Sequence, residues 1–259
     1  MQSVAWEVTS RVGVVALDRP ETRNSVDEPS LRALKTVLER MLSDTGVRAV
    51  VLTGKGDCFC SGVNLKSESA DTADTGSVRA FIADVVNPII GLIRHAPKPV
   101  IAAVNGPAIG FGVALAIACD IVLAARSASF ALSFVKVGAV LDGGASFQVA
   151  RSIGEARARA IALLGMPVSA QQAEQWGLIW QTVDAEALQE AALALAEALA
   201  SGSAHAIATI KRQLAAAHGQ APAALLEAEA ALQAEAFSGP DFREALGAYQ
   251  EKRPPRFPD

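Results

Sequence analysis

Four short β-branched runs, each set off from the next by a helix-like stretch, constrain this chain most. They are VGVVALDR, VRAVVLTG, KPVIAAVNG and ACDIVLAA. Runs of this length, bounded by glycine or charge, suit buried strands. Their alternation with helical stretches predicts parallel strands joined by helical crossovers, an α/β arrangement. An extra strand, VAWEVT, precedes the first run and meets it near Arg11. A helix is expected from about Asp27 to Ser43, with Pro29 tolerated in its first turn. A polar loop then runs through residue 75. Another helix follows near 77–95, with Pro88 as a place for a kink.

The last third is different. DAEALQEAALALAEALAS, AIATIKRQLAAAH and APAALLEAEAALQAEA are rich in alanine and leucine, good helix formers with few strand signals. The reading is an α/β core over 1–183 and a helical region over 184–259, ending in an extended proline-rich tail. No internal repeat is visible. At 259 residues, 51% hydrophobic and 19% charged, the chain can bury a sizeable core. A net charge of −4 gives no reason to expect nucleic acid or an anionic membrane as partner. No single apolar run reaches the ~18–20 residues of a spanning helix. The start, MQSVAWEVTS, lacks the pattern of a signal peptide, so a cytoplasmic protein is expected. The three cysteines are too few for a disulfide framework, and Cys58 and Cys60 have no histidine nearby, so no metal site is expected.

Three loops follow probable strands: RPETRNS, TGKGDCFCSGVNL and NGPAIGFGVALAIACD. Ligands of open parallel sheets bind beyond the carboxyl ends of the strands. The familiar phosphate and nucleophile motifs are absent: Lys55 is followed by Gly56, GPAIGFG does not read GxGxxG, and Ser146 lies in GASFQ. The loops instead offer backbone N–H groups, at Gly62 and at Gly110 and Gly112, where a helix begins and its amides are unpaired. Two such groups converging on one oxygen make an oxyanion hole; taken alone, these glycines could equally serve tight turns.

GKGDCFCSGVNLK and KPVIAAVNGPAIGFGVALAIACDIVLAARSASF together resemble the two signatures of the crotonase superfamily, the enoyl-CoA hydratase/isomerase family. GEARARAIALLGMPVSAQQAEQWGLIWQTVD and ALGAYQEKRPPRF are similar to its later segments, so the resemblance covers nearly the whole chain. It implies an α/β fold, a crotonase-like ββα superhelix with a C-terminal helical trimerisation region, assembled as a homotrimer or dimer of trimers. It implies an acyl-CoA thioester as substrate, with coenzyme A entering as part of that substrate and no separate cofactor. The amides that hold the thioester oxygen map onto Val63 and Phe111. Around the coenzyme, the resemblance implicates Arg23, Ser25, Ser61, Gly62, Leu65 and Gly110, and, from a neighbouring subunit, Tyr249 and Lys252.

The chain departs from the family where hydratases carry two glutamates. Those positions map to Ala114 and Phe134, and the usual aspartate of the first signature to Asn64. Between Pro99 and Ala150 the only acidic residues are Asp120 and Asp142. Asp120 fits the general pattern of a strand start and reads as structural. Asp142, in VGAVLDGGAS, lies where the branch that isomerises the ring epoxide of phenylacetyl-CoA places an aspartate, although Leu141 and Ala145 replace a proline and a glycine there. It could cap the next helix, or it could shuttle a proton. Phe134, Val140 and Leu141 are expected to surround it with apolar groups and raise its pKa. A single carboxylate suits an isomerase. The alternatives are a hydratase-like reaction, an aspartate nucleophile in a hydrolase or dehalogenase (Gly91 stands where its histidine would be), or an acyl-CoA-binding protein without catalysis.

Overall fold

In the computed structural model, which describes residues 3–64, 74–217 and 219–257, the β-branched runs pair into one sheet. Strands β1 (Val4–Thr9) and β2 (Val12–Leu17) form an antiparallel hairpin. Its two turn residues, Ser10 (φ 49°) and Arg11 (φ 67°), are both left-handed, as a tight hairpin turn demands. Helix α1 (Glu28–Ser43) follows. The Asp27 carboxylate accepts from Ser30 N–H at 3.0 Å and Ser30 Oγ accepts from Asp27 N–H at 2.8 Å, a reciprocal cap. Leu31, Leu34, Leu38 and Met41, at helical spacing, are buried. Next come β3 (Ala49–Gly54), α2 (Thr75–Phe81), a π-helical segment Ile82–Val86 and α3 (Asn87–His95). The kink anticipated at Pro88 is thus a widened turn just before it. Proline cannot donate to the carbonyl four residues back and its ring crowds that group, which a wider turn relieves. Thr75–His95 is a continuous 21-residue helix, apolar enough at a mean hydropathy of 1.5 to meet the length and composition of a span, which no single apolar run of the sequence does. Its Val85, Val86, Ile89 and Ile93 are buried, and it packs on α1.

The chain continues through β4 (Val100–Val104), β5 (Ala108–Ile109), α4 (Phe111–Ala118), β6 (Ile121–Ala125) and β7 (Ser129–Ala131). Then come α5 (Ala145–Ile153), α6 (Glu155–Leu164), β8 (Pro167–Ser169), α7 (Ala170–Trp176) and β9 (Gln181–Val183). Four helices end the chain: α8 (Leu188–Ala200), α9 (Ala204–Ala216), α10 (Pro222–Ser238) and α11 (Pro240–Glu251). The main sheet has the order β1-β2-β3-β4-β6-β9, parallel from β2 onward, and a smaller sheet has the order β5-β7-β8.

The two faces of the main sheet carry different helices. A Cβ at Gly13 would meet Met41 of α1, so that face is covered by α1. The alternate residues Val14 and Ala16 line a cavity of about 390 Å³ with Leu188 and Ala192 of α8 on the other face. Helix α8 packs on β2, β3, β4 and β6, and its Ala192, Ala196 and Ala200 are buried. Helix α8, just past residue 183, is thus a layer of the core. Alanines four apart let the helix approach the sheet closely. The helices that leave the core begin with α9.

Candidate active site

The three loops singled out in the sequence are laced together by their backbones. Ser61 N–H donates to Arg23 O (3.1 Å), Val26 N–H to Gly62 O (2.8 Å) and Asn64 N–H to Val26 O (2.7 Å). Ser61 Oγ donates to Thr22 O at 3.2 Å. On the other side, Ile109 N–H donates to Cys60 O at 2.9 Å. Arg23, Ser25, Ser61, Gly62 and Val63 are thereby gathered beside Gly110 and Phe111. Gly62 (φ +89°) turns so tightly there that a Cβ would lie 2.9 Å from Ile109 O and 3.8 Å from Phe111 N. At Gly112 a Cβ would lie 2.3 Å from Cys60 O, so only glycine lets the first turn of α4 rest on the 58–62 loop. Phe111 opens α4, where N–H groups have no partner within the helix. Neither its amide nor that of Val63 donates to a backbone carbonyl among the described residues.

Sequence reasoning missed one residue of this framework. Asn24, left-handed at φ 54° and 1% exposed, donates through Nδ2 to Lys55 O (2.9 Å) and Cys58 O (2.7 Å). A buried asparagine in a left-handed turn is a recognisable signal, but only once the turn is known. Cys58 and Cys60 are buried in the same loop; Cys58 Sγ donates to Pro107 O, and burial pushes the Cys60 thiol up to about 12.

Asp142 lies in the loop leading into α5. Gly144, not Asp142, stands at the N-cap of that helix, and no side chain caps it. Asp142 contributes its backbone carbonyl, which accepts from Ala145 N–H at 3.0 Å. Its carboxyl Oδ1 is buried with no partner among the described residues. Loss of water pushes its pKa up to about 6, opposed only by its own backbone N–H. The adjoining Gly143 (φ +55°) sits directly on α4, where a Cβ would lie 2.9 Å from the Ala114 Cβ and 3.4 Å from the Phe111 ring. Phe111 and Ala114 are both essentially buried. The Phe134 ring approaches Gly110, its Cζ 3.9 Å from where a Cβ would stand. Leu141 packs against the core. Val140 does not shield the carboxylate as expected. It is 84% exposed, because the loop that follows the 3₁₀ turn Ser133–Val137 carries it outward.

The remaining candidates divide. Ser25 is buried and its Oγ has no partner among the described residues. Leu65 lies outside the described residues. Tyr249, 83% exposed on α11, and Lys252, which ends that helix at φ 56°, are not brought to the loops by this chain; α11 packs on α10. Asp120 has a structural role: its Oδ2 accepts from Val100 N–H (2.8 Å) and Lys211 Nζ (2.6 Å), tying α9 to the start of β4. Burial raises its pKa, with Lys211 opposing.

The model of the enoyl-CoA hydratase/isomerase family matches residues 7–259. The chain is 37% identical over 258 residues to the 1,2-epoxyphenylacetyl-CoA isomerase of Escherichia coli K12, covering 99% of this chain and 98% of that one. It is 36% identical to a Rhodobacter capsulatus protein named "Probable enoyl-CoA hydratase", covering 98% and 97%. Its fold matches the crystal structure of an enoyl-CoA hydratase from Bacillus anthracis with a TM-score of 0.92 at 30% identity, over 99% of both chains.

Proposed function

Because the chain belongs to the enoyl-CoA hydratase/isomerase family, we propose that it is an acyl-CoA isomerase that shifts a double bond, or isomerises a ring epoxide, with Asp142 as acid and base. One observation carries this reading: the Asp142 carboxyl, raised to about 6 and with Oδ1 buried and unpartnered among the described residues, belongs to a loop seated on the start of α4. The two glutamate positions of hydratases are filled by Ala114 and Phe134. The amides of Val63 and Phe111 hold the thioester oxygen. Asp142 takes a proton from carbon, the negative charge spreads onto that oxygen, and the same carboxyl returns the proton two carbons along. The two amides stabilise the enolate-like state, and each such donor is worth about 10²–10³ in rate. A positioned acid–base group contributes about 10²–10⁴.

Coenzyme A lies along Arg23, Ser25, Ser61, Gly62 and Gly110. The unpartnered Ser25 hydroxyl supports this placement, since a buried polar group without a partner is costly. A trimer, or a pair of trimers, supplies Tyr249 and Lys252 from a neighbour. Exposed Leu226, Phe237, Phe242 and Leu246 on α10 and α11 favour such an assembly.

The test is proton exchange. The protein is incubated with 3-enoyl-CoA and 2-enoyl-CoA in D₂O and followed by NMR, with Asp142→Asn alongside. Double-bond migration with deuterium uptake is expected, lost in the variant and declining as pH falls through about 6. Hydratase-named relatives at nearly the same identity favour a second reading, water addition. A 3-hydroxyacyl-CoA product without migration would establish it and defeat the isomerase reading. Bound thioester without exchange would point to a nucleophilic aspartate or to a binding protein.

A further inference from the structure

Gln148 lies on the inner side of α5 and is 5% exposed. Its buried neighbours on that helix, Ala145, Val149 and Ile153, are apolar. A primary amide in such a place is costly unless both ends are paired. Both are. Oε1 accepts from Arg94 Nη1 at 2.8 Å, and Nε2 donates to the carbonyl of Gly143 at 3.4 Å. Arg94 comes from the last turn of α3. It is half-buried, forms no ion pair among the described residues, and lies over the Phe147 ring at 5.3 Å, a ring it shares with Arg151.

These contacts form one line from the core to the site: α3, Arg94, Gln148, the Gly143 carbonyl, and then Asp142. A guanidinium bonded to the amide oxygen polarises the amide and strengthens donation from its nitrogen. The restrained carbonyl belongs to the residue after the proposed base, Gly143, whose φ of +55° few other residues would hold. A neutral amide suits this place. A carboxylate would add a second negative charge beside Asp142 and could not donate to the carbonyl.

We propose that Arg94 and Gln148 are positioning residues that clamp the Gly143 carbonyl and so hold the Asp142 loop against the start of α4. This rests on the reading of Asp142 as acid and base. The clamp acts through the loop and touches no substrate. It also keeps the loop closed on α4, which keeps water from Asp142.

The experiment compares Gln148→Leu, Gln148→Glu, Arg94→Met and the Leu/Met double variant in isomerisation of 3-enoyl-CoA across pH, with Asp142→Asn as reference. Gln148→Leu and Arg94→Met are expected to lower kcat by about 10- to 100-fold, the cost of a reacting group displaced by about 1 Å. KM should stay within about twofold, and the double variant should be no worse than the worse single, because the two act as one unit. Gln148→Glu, which keeps the bond to Arg94 but loses the donor, should not restore activity. The acid limb of kcat should move to lower pH in Gln148→Leu as water reaches the carboxyl; a residue that only fills the core would leave the limb in place. Wild-type kcat and an unmoved limb in both single variants, or losses that multiply in the double variant, would overturn the clamp. If Gln148→Leu does not fold, Arg94→Met, at a half-exposed helix end, reads the same quantities. If Asp142→Asn is inactive while Arg94→Met and Gln148→Leu behave as wild type, the clamp alone falls. If Asp142→Asn keeps full activity, the base assignment falls and the clamp with it.

Discussion

Replacing Asp142 by asparagine should stabilise the protein, and should do so only at neutral and alkaline pH. Asparagine has nearly the same shape but no charge to desolvate. The Asp142 carboxyl is raised from an ordinary 3.8 to about 6, and burial is the dominant cause. At 1.36 kcal/mol per pH unit that displacement corresponds to up to about 3 kcal/mol. The folded protein binds the proton more tightly than the unfolded chain does. Stability associated with the protonated carboxyl is therefore complete below about 3.8 and is lost as pH rises through about 6. The variant and the wild type should melt together near about pH 4 and separate by up to about 3 kcal/mol at about pH 8. At roughly 2–4 °C per kcal/mol for a chain of this size, the separation in Tm is up to about 6–12 °C. Thermal melts at fixed protein concentration, repeated across that pH range, measure it without any substrate; fixing the concentration matters because assembly raises apparent stability. A difference that does not change with pH, or a wild type more stable than the variant at about pH 8, would refute the idea that Asp142 ionises in a desolvated place.

Two further outcomes test the framework. Lys211→Met leaves the partly buried Asp120 carboxylate without its cation and should cost about 1 kcal/mol in chemical denaturation, with little effect on KM. Gly112→Ala forces a Cβ to within 2.3 Å of Cys60 O; moving the Phe111 amide away should lower kcat by about 10²–10³ while circular dichroism keeps its shape.

Much of the main sheet was legible because its strands are β-branched runs long enough to carry a period, as in AVVLTG and VIAAV. The smaller sheet was not. Ala108–Ile109, Ser129–Ala131 and Pro167–Ser169 are too short for any pattern, and tertiary pairing alone makes them strands. Helix α8 was legible as a helix but not as part of the core. Its alanines signal helix propensity wherever they stand, and only the sheet beneath Ala192, Ala196 and Ala200 makes them a packing face. At the site, two of the three loops were visible from their glycines, and RPETRNS from its place after a strand. Their convergence depends on cross-loop bonds such as Val26 N–H to Gly62 O, which no local pattern encodes. Val140 shows the same limit from the other side: an apolar residue next to Leu141 that the loop turns into solvent.

The departures from the two-glutamate pattern belong together physically. Ala114 is completely buried, and its Cβ already stands 2.9 Å from where a Cβ of residue 143 would be. A longer, charged side chain at this position needs room and water that the arrangement denies. With alanine there and glycine at 143, the loop settles onto α4, and Phe134 fills the space beside Gly110. That closeness strips water from the Asp142 carboxylate and lifts its pKa toward the range where it can both accept and return a proton. Alanine at 114 and the water-poor place of the Asp142 carboxyl are thus one feature of the packing. The substitution Ala114→Glu on its own would bury an unpaired charge and pry the loop away. On the proposed isomerase reading, that variant, assayed with 3-enoyl-CoA and 2-enoyl-CoA, should lose double-bond migration without gaining water addition.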